Sequence, residues 1–182
     1  MNIIESSISI AVAKYSLGIS FDMVDLANEM IESGYDSPEL LMLSLPSEAN
    51  DQTFNLAMKE NGIMIPERQV ARSIMVRYYV KNVLDNHGNI YGLREFRDKM
   101  HYLFNLKDGV YDCDEDVCEM LNYYWYLDDN ITIYSDDEVM EMVKNLAIKI
   151  LDKLNKIAQQ GDAPEPATNA VSASQPSIPP AR

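Results

Sequence analysis

Apolar positions recur at helical spacing through most of this chain. The clearest stripe is Val139, Met142, Val143, Leu146, Ile150, Leu154 and Ile157, whose three- and four-residue steps put them on one helix face. Ser135 and Glu138 precede it with the spacing of a capping box, which predicts a helix starting at Ser135. A second stripe, Leu93, Phe96, Met100, Leu103 and Phe104, predicts a helix over about 92–105. Between Pro66 and Asn86, Val70, Ile74, Tyr78, Val80, Val83 and Leu84 recur near the same period, with Arg68, Arg72, Arg77 and Lys81 on the remaining surface.

Punctuation sets the elements upstream. Ser20 reads as an N-cap with Asp22 in the first turn, and Gly34 as the stop of that helix. Asp36 or Ser37 then caps a short helix with Pro38 at its first position and Pro46 after its end. A further helix over about 50–60 is closed by Asn61-Gly62. Residues 3–16 are apolar but poorly phased, and 113–127 form the seventh segment; 130–134 is too short to build a sheet. Only 7 glycines occur in 182 residues, which favours helices over a meander of strands. The expected fold is all-α: a single-domain bundle of about seven helices over 1–160. Residues 161–182 hold five of the 8 prolines and almost no large apolar side chain, so they are expected to be a disordered tail.

No apolar run of about 18 residues is present to span a membrane. The N-terminal stretch lacks a basic region and carries Glu5, a poor match to a signal peptide, so a cytoplasmic location is expected. Cys113 and Cys118, placed on one helix, point about 140° apart, so two free thiols are expected.

Charge changes the picture most. The net charge is -14, and 108–143 holds twelve acids and no base. By contrast 66–107 holds eight bases and four acids. Those bases could bind an anion, but pairing with the acids of 1–65 or 108–143 is the plainer expectation. An acidic surface repels phosphate backbones and draws a basic partner, so nucleic-acid binding is not expected and a basic protein partner is. A solvated face that keeps the protein soluble is the plainer alternative.

The stretch LNYYWYLDDN, 121–130, sets four aromatics among acids. On a helical wheel Cys113, Val117, Cys118, Leu121, Tyr124 and Trp125 share one arc, the expected core face. Asp112, Glu115, Asp116, Glu119, Tyr123 and Tyr126 share the opposite arc. Tyr123 and Tyr126 framed by acids suit a binding surface, because tyrosine offers contact area at low entropic cost and a hydroxyl to hydrogen-bond. With Asp128, Asp129, Asp136 and Asp137, these residues form the candidate partner-binding set.

No catalytic constellation emerges. Asp112, Asp114 and Asp116 echo the start of a calcium loop, yet Val117 stands where its glycine belongs and Tyr123 where its final Glu belongs. His87 and His101 lack zinc-site spacing, and neither cysteine suits a thiolate nucleophile if both face the core. No cofactor is expected, and the chain is not expected to be an enzyme.

Three pieces together resemble small bacterial toxin-immunity-type proteins: AKYSLGISFDMVDLANEMIESGYDSPEL at 13–40, ARSIMVRYYVKNVLDNHGNIYG at 71–92, and YLDD at 126–129. The resemblance rests on caps and turns and carries no catalytic residue; the proline-rich tail departs from it. It implies an all-helical protein that neutralises a toxin by binding it. Combined with the charge pattern, the expected target is a basic toxin such as a nuclease. The rivals are an acidic DNA mimic that blocks a DNA-binding enzyme and a carboxylate-based metal-dependent enzyme.

Overall fold

The computed structural model describes residues 6–85, 90–104, 106–107, 110–111, 113–128 and 134–161. Side chains are described for all of these but 90–92, 101–102, 106–107, 110–111, 124–128 and 158–161. The fold is all-α. Among the described residues eight helices follow one another: α1 Ser7–Leu17, α2 Met23–Glu32, α3 Pro38–Leu43, α4 Asp51–Glu60, α5 Arg68–Asp85, α6 Ile90–Leu103, α7 Glu115–Asp128 and α8 Asp136–Gly161. Between α6 and α7 runs a two-residue antiparallel ribbon, β1 Leu106–Lys107 and β2 Val110–Tyr111, with Leu106 opposite Tyr111. The sequence pattern does not announce it, since two residues are too few to show alternation. The expected extended piece at 130–134 falls, but for Tyr134, outside the described residues, as does the expected tail at 161–182 but for Gly161, which ends α8.

Side-chain caps fix the helix starts. The Asp22 carboxylate accepts the backbone N–H groups of Val24 and Asp25 at 2.9 and 3.0 Å, so Asp22 caps α2, not Ser20. A carboxylate at that position meets two orphan donors and the positive helix end together, which the Ser20 hydroxyl two residues earlier cannot reach. Ser37 caps α3 by accepting from Leu40 N–H, with Pro38 at the first helical position. Asn50 caps α4. Ser135 and Glu138 form the expected reciprocal box: Ser135 N–H donates to the Glu138 carboxylate at 2.8 Å and Glu138 N–H to the Ser135 hydroxyl at 3.3 Å. Gly34, at φ 91°, turns the chain out of α2 while Tyr35 N–H returns to the Met30 carbonyl.

Two apolar clusters make the core. The first joins Ala11, Val12, Leu26, Ala27, Met30, Leu40, Leu43, Phe54, Ala57 and Met58, from α1 to α4. The second joins Ala13 of α1 to residues of α5–α8, among them Met75, Tyr79, Leu93, Phe96, Met100, Val117, Met120, Val143 and Ile150. This explains why α1 is poorly phased. Its two sides enter different cores, so it needs apolar residues most of the way round.

Two stripes shift against expectation. In α5 the buried face is Ala71, Met75, Val76, Tyr79, Val80 and Val83, whereas Val70 is 53% exposed. Ala71 and Met75 carry the true phase because the residues facing close-packed neighbours need not be the bulkiest apolar ones. In α8 the stripe is buried through Ile150 and Leu154 still packs partly against the core, whereas Ile157 is 57% exposed.

Candidate functional site

The acidic stretch is presented by the α7–α8 hairpin. Lys149 Nζ donates to Asp116 Oδ1 at 2.7 Å, and Lys153 Nζ donates to Asp114. Residues rising along α7 thus pair with residues falling along α8, so the two helices run antiparallel, and the start of α8 lies at the far end from Asp114. Asp137 and Lys149 are twelve positions apart, which at 1.5 Å per residue is about 18 Å. The expected single acidic face is therefore two separate ends.

At the α7 entry the acids are largely satisfied. Asp116 is only 7% exposed, against the expectation that it points to solvent. Its neighbours Val117 and Met120 are also buried, so the core face begins one position earlier than the wheel suggested. A carboxylate buried this far needs a cation, and Lys149 supplies it, with Lys153 4.0 Å away. The bond to Asp116 holds the Lys149 ammonium above its ordinary range, and the bond from Lys153 holds Asp114 below the usual carboxylate range. The cations expected from 66–107 are supplied to Asp114 and Asp116 by α8 instead. This also occupies two carboxylates of the Asp112-Asp114-Asp116 run with ammonium groups; Asp112 lies outside the described residues. Glu115 and Glu119 do face solvent.

The cysteines correct a second expectation: Cys113 and Cys118 are joined by a disulfide. The wheel argument assumed one helix, but α7 begins at Glu115, so Cys113 lies in the approach to it. Freed from helical geometry, its Cα comes within 6.3 Å of that of Cys118, inside the span a disulfide bridges.

Tyr123 is half-buried, packs against the second core, and donates its hydroxyl to Glu119 at 3.1 Å. That corrects its expected role as an exposed anchor. Its neighbour Tyr126 and Asp128 belong to α7 by backbone, their side chains lying outside the described ones, and Asp129 lies outside the described residues.

At the start of α8 the expected combination does occur, around a different ring. Tyr134 is 42% exposed and is followed by Asp136, Asp137, Glu138 and Glu141, all exposed. Glu138 is engaged in the cap, which holds its carboxyl below the usual range, and Glu141 lies 3.8 Å from Lys144. Asp136 and Asp137 have no cation within ion-pair distance among the described residues. Sequence reasoning missed Tyr134 because it looked for tyrosines on a helix. The signal was its place just before a Ser-Asp-Asp-Glu helix start, where an entering residue must either pack back on the helix or face solvent. Compared with family models, curated proteins and solved structures, this chain matches none of them.

Proposed function

We propose that this chain is a protein-binding module that neutralises a basic partner, in the manner of a toxin-immunity protein. It acts by binding and not by turnover. The observation that carries the reading is the end of the hairpin at Tyr134. There an exposed aromatic ring adjoins Asp136 and Asp137, two exposed carboxylates without a cation in reach among the described residues. Such acids steer a cationic surface into contact, and the ring supplies apolar area at low entropic cost. Part of the charge serves the helix itself, since carboxylates in a first turn favour the positive helix end, but three acids exceed what one cap uses. The binding is proposed to take place in the cytoplasm. There the Cys113–Cys118 bond would be a reversible one, because cytosolic thiol pools reduce most protein disulfides.

The test compares wild type with a Tyr134→Ala/Asp136→Asn/Asp137→Asn variant as bait in lysate of the source cells, at low and moderate salt. A basic protein should be held by wild type, lost from the variant and weakened by salt, as screened steering requires. Co-expression with this chain should then relieve the captured protein's toxicity. Equal retention by both baits would remove this surface from the reading. Capture of general DNA-binding enzymes in place of one cognate toxin would replace immunity by mimicry of DNA.

A further inference from the structure

A cavity of about 600 Å³ opens between α5, α7 and α8, about 25 Å along α8 from the Tyr134 surface at 1.5 Å per residue. Its volume is that of a small-molecule site. One wall is a face of α5: Arg68, Gln69, Arg72 and Ser73, with Val76 deeper. The opposite wall is Ile150, Leu154 and Ile157 of α8, at steps of four and three, and the floor holds Phe104 and Val117. Lys153 and Asp114 also line it, but they bond to each other and close the rim as a neutral pair.

That leaves two guanidinium groups on the α5 wall, facing the apolar side chains of α8 and Phe104. Arg68 lies at the exposed mouth; Arg72 sits deeper, its guanidinium 5.7 Å from the centre of the Phe104 ring. The Arg72 Nε is buried and has no hydrogen-bond partner among the described residues. Neither arginine has a carboxylate within ion-pair distance among the described residues. The one described acid of the lining, Asp114, is engaged by Lys153 and not by either arginine. The terminal nitrogens of Arg72, unlike its Nε, are not closed off and make no hydrogen bond among the described residues, so an arriving anion can pair with them and offset the cost of holding the guanidinium without a partner. The Phe104 ring attracts the guanidinium by its quadrupole, and the planar guanidinium fork matches a carboxylate.

We propose that this cavity binds an amphipathic monocarboxylate, its head on Arg72 and Arg68 and its apolar body between Val76, Phe104, Ile150 and Leu154. The site is independent of the acidic surface and of the protein partner proposed above.

The test is calorimetric titration of the full chain with decanoate below its micellar concentration, beside acetate, which has the head alone, and decanol, which has the body alone. Decanoate should bind at one saturable site and raise the melting temperature; acetate, which loses the buried apolar body, and decanol, which loses the charge-assisted hydrogen bond, should each bind at least about tenfold more weakly. Arg72→Gln should weaken decanoate by about tenfold or more on the same ground. Ser73→Trp, a substitution at an exposed mouth position, should block binding while leaving the ligand-free protein folded, so the outcome does not hinge on the arginine variant alone. No saturable decanoate binding, decanol binding as tight as decanoate, or wild-type affinity in both variants would each overturn the proposal.

Discussion

Asp116 shows how one side chain can change sides in meaning. By count it is one of twelve acids in 108–143, but by position it belongs to the core boundary, bonded to Lys149. Its removal should therefore cost stability, and removal of a surface acid should not. Asp116→Ala is expected to lower unfolding free energy by about 1 kcal/mol, because the loss of a charge-assisted bond is discounted by the good hydration of the lysine left behind. Asp136→Asn should change it by less than about 0.5 kcal/mol, as for most surface substitutions. Urea unfolding of the two variants decides this; equal effects would mean that Asp116 is not held as described. Tyr123 follows the same logic in reverse. A residue with an amphipathic side chain on the boundary arc can bury its ring and keep its hydroxyl on Glu119.

At the scale of elements, α7 is the helix whose start is most constrained. Asp114 accepts the Asp116 N–H at 3.2 Å, Lys153 of α8 holds Asp114, and the disulfide ties Cys113 to the first turn. Together these pin the approach to α7 against α8 and shape one side of the cavity. Closing so short a loop removes little chain entropy from the unfolded state, so reduction should cost about 2 kcal/mol. Urea midpoints with and without reductant test this. In the oxidised protein neither cysteine should react with an alkylating agent. Ready alkylation without reductant, or identical midpoints, would show the thiols unbonded in solution. The caps behave differently, because they were visible beforehand. Ser37, Asn50 and the Ser135–Glu138 box act within three residues of themselves, so local sequence suffices to find them.

Across the whole molecule, α1 is the shared element of two cores, giving Ala11 and Val12 to one and Ala13 to the other. Two cores joined by one helix should still unfold together. Phe54→Ala in the first and Phe96→Ala in the second, both fully buried, should each cost about 3–5 kcal/mol. Each should shift one common transition, followed by far-ultraviolet circular dichroism and tyrosine fluorescence. Two separated transitions would instead mark the clusters as independent units. Charge is also arranged at this scale. The acids of the α7 entry are met by lysines that stand more than thirty residues later, at Lys149 and Lys153, while those at the start of α8 are left facing solvent.

The sequence by itself determined what depends on neighbours a few residues apart: the helical class, the boundaries at Pro38, Asn61-Gly62 and Ser135, and the stripe of α6. It also located the acids. It did not determine which acids face a partner, where the exposed ring sits, or that Cys113 meets Cys118. Those depend on where α7 begins and on how α8 folds back along it, and the same wheel of residues serves either side until a packed neighbour chooses one. The two arginines of the cavity were legible as a basic pair four residues apart. Only the packing of α8 and Phe104 against α5 sets them on the wall of a cavity, because burial is set by contacts between elements distant in the chain.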